Sequence, residues 1–262
     1  MKARIFQVDA FTTTRFAGNP AAVMLMDRFP VDSTMQAIAD ENNLAETAFL
    51  VPDKGDYRLR WFTPKVEVPL CGHATLASGS VVMERLEIGR RKVTFQSASG
   101  PLPVSRTDTG SYVLDFPIRP SEPVAGPVGL ANALGAEPIE VYGNAFNYMA
   151  ILEDEAAVRG LRPDFATIAA YDRPGVIVTA RGSAPYDFVS RYFAPAKGVP
   201  EDPVTGAAHT MLAPYWARQL GKTEFRAFQA SRRGGEIRCR LTGTRIMLEG
   251  NCVFYLEGTA EL

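Results

Sequence analysis

The sequence predicts an α+β protein made of two similar halves, each a set of strands with one long central helix. Three observations predict it. Arg60-Trp61-Phe62-Thr63-Pro64 recurs as Arg191-Tyr192-Phe193-Ala194-Pro195, 131 positions later (191 − 60). Each copy then leads into a small-residue helical pattern, opened by Gly72 in the first and Gly206 in the second. Pro117, Pro120, Pro123 and Pro127 mark a joint near the middle of the 262 residues, because proline ends helices and interrupts strands. The two glycines lie 134 apart (206 − 72), so the second copy carries three extra residues. The expected halves are residues 1–117 and 118–262, with exchange of the C-terminal strand allowed, and both fall in the ordinary domain range.

Residues 3–10 and 21–26 carry the β-branched and aromatic content of strands. The Thr12–Pro20 stretch between them has loop chemistry. Residues 32–43 read as a helix that Asp32 or Ser33 can cap, with Met35, Ile38 and Ala39 at helical spacing. An apolar strand, Leu44–Val51, carries a single carboxylate, Glu46. A strand over 57–63, a helix over about 72–87 and short strands near 92–97, 102–107 and 112–116 complete the first half. The second half repeats the order. Helices are expected near 128–135, 163–170 and 206–219, and strands near 147–153, 174–180, 186–193, 223–228, 235–241, 245–250 and 252–258. Ile38-Ala39-Asp40 and Ile168-Ala169-Ala170 stand in corresponding places. Such duplication of β-rich units around a helix is an α+β pattern.

Composition narrows the function. Hydrophobic content of 46% with 22% charged residues is that of a folded globular chain. A net charge of −1 gives no electrostatic footprint for nucleic acid or a membrane surface. Cys71, Cys239 and Cys252 have no CxxC spacing, which argues for a reducing compartment and against a disulfide framework. The N-terminus lacks a signal-peptide core and no run is long enough to span a bilayer. The expected location is the cytoplasm. No GxGxxG, P-loop, HExxH or GxSxG occurs, and His73 and His209 lack ligand spacing. Neither a cofactor nor a metal is expected.

The chemistry is expected at the two helix starts. A helix N-terminus offers unbonded N–H groups and the positive end of the dipole, so it attracts anions. Gly72 and Gly206, lacking Cβ, let a ligand approach the backbone, although tight helix packing alone would also call for glycine. Facing each other, the two starts would hold a carboxylate or an enolate-like intermediate. Glu46 sits among Leu44, Ala45, Ala48, Phe49 and Leu50, where poor solvation would raise its pKa toward that of a general base. Strand alternation could equally turn it to water. His73 follows Gly72 and can donate to substrate or shuttle a proton. Asp202 precedes the second helix, either as its cap or as a second acid/base group. His209, inside the helix pattern, is read as structural. Cys71 is read as a packing or cleft-lining residue: helix starts lower thiol pKa values, but its counterpart is Thr205 and no thiol pair exists.

These residues stand in motifs that resemble the phenazine-biosynthesis PhzF-like family. Val8-Asp9-Ala10-Phe11 and Phe16-Ala17-Gly18-Asn19-Pro20-Ala21-Ala22-Val23 are similar to its opening. Glu46-Thr47-Ala48-Phe49, Phe62-Thr63-Pro64, the Glu67–Thr75 stretch and Glu201-Asp202-Pro203-Val204-Thr205-Gly206 follow in the family's order. The resemblance implies a diaminopimelate-epimerase-like fold, in which each half is a β-barrel-like sheet wrapped around a central α-helix and the site lies between halves. It also implies a cofactor-independent isomerase, usually a homodimer, acting on a small carboxylic acid. Carried over by motif, Glu46 is the base, His73 and Asp202 join it in catalysis, and Asn19, Gly72, Gly206 and Ala207 bind substrate. Ala207 stands where some members have a Ser, and the late Gln-Gly and Gly-Arg signals read Gln229-Ala230-Ser231-Arg232-Arg233-Gly234-Gly235. Both departures argue against the family's phenazine precursor as substrate. The rival expectations are a binding protein that captures a small acid without catalysis, and a thiol racemase using Cys71.

Overall fold

The computed structural model describes residues 2–262. The chain divides into two compact units, one holding the residues up to Phe116 together with Leu248–Leu262, the other Pro117–Met247.

In the first unit, β1 (Lys2–Ala10) pairs antiparallel with β2 (Asn19–Leu25). The crossover through α1 (Asp32–Asn42) makes β2 parallel to β3 (Glu46–Asp53). A tight hairpin, with Lys54 and Gly55 both at positive φ (49° and 86°), returns the chain as β4 (Asp56–Phe62), the backbone that primed two-residue turns require. β5 (Glu67–Val68) folds back on β4, and β6 (Lys92–Ser97) runs parallel to it. β7 (Gly100–Arg106) and β8 (Tyr112–Pro117) follow antiparallel.

The central helix α2 (Gly72–Val81) is buried at every position and continues as one π-helical turn, Val82–Leu86. Its small residues explain how it fits inside the sheet: a Cβ on Gly79 would lie 2.6 Å from Val104 Cγ1. The buried hydroxyls are satisfied within the helix, Thr75 to the Cys71 carbonyl, Ser78 to Ala74 and Ser80 to Ala77, as buried polar groups must be. Neither Asp32 nor Ser33 caps α1. Val31 holds the cap position, and Asp32 instead accepts from Arg60 Nη1 at 2.9 Å.

In the second unit, β9 (Glu122–Pro123) pairs with β10 (Glu140–Gly143), α3 (Leu130–Leu134) lying between them in sequence. β10 is antiparallel to β11 (Asn147–Ile151). The chain then forms α4 (Glu155–Gly160) and α5 (Phe165–Ala169), N-capped by the Asp154 and Asp164 side chains. β12 (Gly175–Arg181) runs parallel to β11, and β13 (Phe188–Ala194) antiparallel to β12. A 3₁₀ turn, Pro195–Lys197, precedes β14 (Val199–Glu201), which pairs with β13. β15 (Glu224–Gln229) is parallel to β13, and β16 (Gly235–Thr242) antiparallel to β15. The pairing order thus repeats that of the first unit, strand for strand. The second central helix, α6 (Gly206–Leu220), contains Pro214. Proline has no N–H for the Thr210 carbonyl, and the Arg119 N–H takes that acceptor at 3.0 Å. The chain passes back to the first unit within β17 (Arg245–Gly250) and ends in β18 (Cys252–Glu261), antiparallel to β1.

The repeated lead has the same physical content in both units. Arg60 grips Glu67 with two bonds, Nε–Oε1 at 2.7 Å and Nη2–Oε2 at 2.6 Å, and its guanidinium lies 5.2 Å from the Phe62 ring centre. Arg191 grips Glu201 at 2.7 and 2.9 Å and lies 5.1 Å from the Phe193 ring centre. Each bidentate pair fastens the loop that delivers a central helix.

Candidate active site

In the first unit three elements place four side chains together. Gly18, at φ +67°, turns the chain into β2; any Cβ there would strike the Ala10 carbonyl oxygen. Asn19, first residue of β2, is fully buried. Glu46 opens β3 beside Ala21 in the parallel register. Cys71 is the residue before α2, and His73 is the second residue of that helix.

His73 lies at the centre, only 3% exposed. Its Nε2 is 3.2 Å from Glu46 Oε2, an ion-pair separation off the line of a good hydrogen bond, and neither buried atom has a hydrogen-bond partner among the described residues. Its Nδ1 receives the Asn19 Nδ2 amide at 2.9 Å, and Cys71 Sγ is 3.5 Å from the same nitrogen. Burial opposes the imidazolium, but Cys71 and Glu46 beside the ring outweigh it and hold His73 well above its ordinary value. Burial first, then the Glu46 charge, pushes the Cys71 thiol up to about 11. At neutral pH Cys71 is therefore a protonated thiol, and Glu46 is the carboxylate facing the ring. The carboxylate thus faces an imidazole, not the wholly apolar surroundings that its neighbours in sequence suggest.

Glu46, Cys71 and His73 also offer ligand atoms within 4.8 Å of one another. A tetrahedral zinc site needs nitrogen, oxygen and sulfur about 3.5 Å apart. Here the imidazole turns Nε2 to the carboxylate and Nδ1 to the thiol, so a cation would have to rearrange the group before binding it.

The second unit carries the other expected residues. Thr205 is the residue before α6, and Gly206 and Ala207 are its first two helical positions. No side chain caps this start, and first-turn N–H groups have no intrahelical partner. Asp202 is not the cap: its Oδ2 accepts from Thr205 Oγ1 at 2.5 Å. A residue without a role in the sequence reading, Gln229, straps this turn. Fully buried, it accepts from the Thr205 N–H at 2.8 Å and donates Nε2 to the Asp202 carbonyl at 2.7 Å and Thr205 Oγ1 at 3.0 Å. The late Gln-Gly signal of the resemblance, read here as Gln229-Ala230, marks this residue without giving it a role. His209 is structural: Nδ1 meets the Thr205 carbonyl at 2.9 Å, and burial lowers its pKa to about 4.

Comparison with known proteins adds the following. The model of the phenazine biosynthesis-like protein family, PhzC-PhzF, matches residues 8–258. A Pseudomonas aeruginosa protein called uncharacterized isomerase PA2770 is 49% identical over 262 residues, covering all of both chains. The crystal structure of a PhzF-family phenazine biosynthesis protein from Enterococcus faecalis superposes with a TM-score of 0.94 at 41% identity, again over all of both chains. A predicted epimerase of Pseudomonas aeruginosa, PA4716, shares the fold alone, with a TM-score of 0.77 at 22% identity and 99% of both chains covered. Among the described residues no helix is long and apolar enough to cross a membrane.

Proposed function

Because the chain belongs to the phenazine biosynthesis-like family and is an isomerase-type enzyme on a diaminopimelate-epimerase-like fold, we propose that it moves a proton on a small carboxylic acid without a cofactor, with Glu46 as base. The observation that carries this is the buried contact of 3.2 Å between Glu46 Oε2 and His73 Nε2 at the start of α2. The Glu46 carboxylate takes a proton from carbon beside a carbonyl or carboxylate. The C–H pair becomes an enolate or dienolate, and an O–H bond forms on Glu46. Returning that proton to the other face gives epimerisation; returning it to a conjugated carbon shifts the double bond. His73, lifted above its ordinary value by the groups beside it, supplies a hydrogen bond to the developing anion. The N–H groups at Gly72 do the same from the helix end. Asn19 completes the proposed set.

The test is exchange in heavy water with candidate acids. The wild type is expected to put solvent deuterium into its substrate, and Glu46→Gln to fold normally and lose about 10²–10⁴-fold in exchange. Full exchange by Glu46→Gln would overturn the assignment. Saturable binding without any exchange would favour a binding protein.

One contact favours weighing a second reading, the 3.5 Å approach of Cys71 Sγ to His73 Nδ1, which is how a thiol racemase would activate its base. The raised thiol pKa works against it.

A further inference from the structure

His73 raises a question that the proposed mechanism leaves open: which of its nitrogens exchanges the proton. An imidazole has two, and their roles are fixed by what each one touches. Around His73 the groups are few. Glu46 faces Nε2, and Asn19 and Cys71 face Nδ1. The two groups at Nδ1 differ in what they can offer. Cys71, as a thiol, is a weak donor. Asn19 carries both an amide N–H and a carbonyl oxygen on one rotor, and it is fully buried, so water does not compete for it.

We infer that Asn19 is a positioning residue whose amide engages His73 Nδ1 in both protonation states, leaving Nε2, the nitrogen facing Glu46, as the one that meets the reacting groups. With neutral His73, Asn19 Nδ2 donates to a bare Nδ1 across the 2.9 Å contact; the ring proton is then on Nε2. When the ring is doubly protonated, a half-turn of the amide presents Oδ1 to the Nδ1–H. Aspartate could serve only a ring that carries a proton on Nδ1, and leucine neither form. A carboxamide is the side chain of this size that serves both.

The inference rests on His73 being the partner of Glu46, but its test needs no substrate, so it stands or falls separately from the exchange experiment. The chain has two histidines. In protein carrying ¹⁵N-histidine, two-bond couplings from the ring nitrogens report tautomer and protonation for His73 and His209 alone. His209, with Nδ1 on the Thr205 carbonyl, is a built-in reference: its neutral ring is expected as the Nδ1–H tautomer. Neutral His73 is expected as the opposite, Nε2–H tautomer.

Asn19→Asp is expected to raise the His73 titration by about one pH unit or more and convert its neutral ring to Nδ1–H. Asn19→Leu is expected to lower it by a similar amount, because a buried hydrogen bond to a charged group is worth at least that much. His209 should not move in either variant, which also shows that both fold. An Nδ1–H tautomer at neutral His73 in the wild type would overturn the inference. So would variants that leave the tautomer and titration of His73 unchanged. Once a substrate is known, the variants should lower kcat with KM nearly unchanged, whereas a residue that only binds substrate would raise KM.

Discussion

Replacing Arg191 by methionine should unfold the second unit far more readily than the matching change at Arg60 unfolds the first. The two arginines occupy equivalent places and make the same bidentate pair, but their surroundings differ. The Arg191 side chain is 10% exposed and its partner Glu201 19%; Arg191 Nη1 also donates to the carbonyls of Leu161 at 2.9 Å and Val158 at 3.3 Å. Methionine fills the volume but leaves a half-buried carboxylate and two carbonyls without their donor. Breaking a buried pair in this way costs about 3–5 kcal/mol. Arg60 is 26% exposed, and its partners Glu67 and Asp32 are 40% and 74% exposed, so solvent screens the pair and its loss should cost at most about 1 kcal/mol. Each unit holds one tryptophan, Trp61 in the first and Trp216 in the second. Fluorescence during urea unfolding, read in Trp61→Phe and Trp216→Phe backgrounds, therefore reports each unit separately. Equal losses for the two arginine variants, or a loss below about 1 kcal/mol for Arg191→Met, would refute the argument.

Two further outcomes follow from the titrating groups. His209 ordinarily titrates at 6.5, and in the fold at about 4. Its contribution to stability is complete above pH 6.5 and is lost as pH falls through that value toward 4, about 3 kcal/mol in all. His209→Gln should flatten this part of the acid unfolding curve measured by circular dichroism; an unchanged curve would show that other groups cause the loss. Cys71, raised from 9.0 to about 11, should carry about 100-fold less thiolate at neutral pH than an ordinary cysteine. Mass-resolved alkylation by iodoacetamide should be slow at pH 7 and rise steadily to pH 10, and Cys71→Ser should keep hydrogen–deuterium exchange into substrate. Rapid labelling at pH 7, or loss of exchange in Cys71→Ser, would support the thiol racemase.

The α+β class and the repeated pairing were legible because the repeat is a physical device with a sequence cost. Only arginine makes the bidentate grip on Glu67 and Glu201, and strand alternation puts Phe62 and Phe193 on the arginine face. The three extra residues of the second copy fall where the chain makes the 3₁₀ turn Pro195–Lys197 before reaching Glu201. Glu46 and His73 were legible as candidates, yet their contact was not, since 27 positions separate them and no periodicity links a strand's first residue to a helix's second. The same holds for Gln229, whose partners lie 24 and 27 positions away. Local rules misplaced two caps. Asp32 is held by Arg60 and Asp202 by the Thr205 hydroxyl, tertiary partners that a propensity for capping does not register.

The duplication also shows why the proposed proton chemistry is confined to one copy. Cys71 and Thr205 precede the two central helices, and in each the residue four positions on ties back to that carbonyl, Thr75 by its hydroxyl and His209 by its ring. The second histidine thus does in α6 what a threonine does in α2. Where α2 has His73, α6 has Ala207. The strand registers align Glu46 with Gly175: Thr47 pairs with Phe62 as Val176 pairs with Phe193. A Cβ on Gly175 would run into Asn147 Oδ1 and the Tyr192 hydroxyl, so no carboxylate fits at that position. The second copy has kept the anion-seeking backbone of a helix start and filled the place of the base with a buried hydrogen bond, Tyr192 to Asn147 at 3.1 Å. A single Glu46, with no mirror-image partner, is what an enzyme needs when one group both removes and returns the proton.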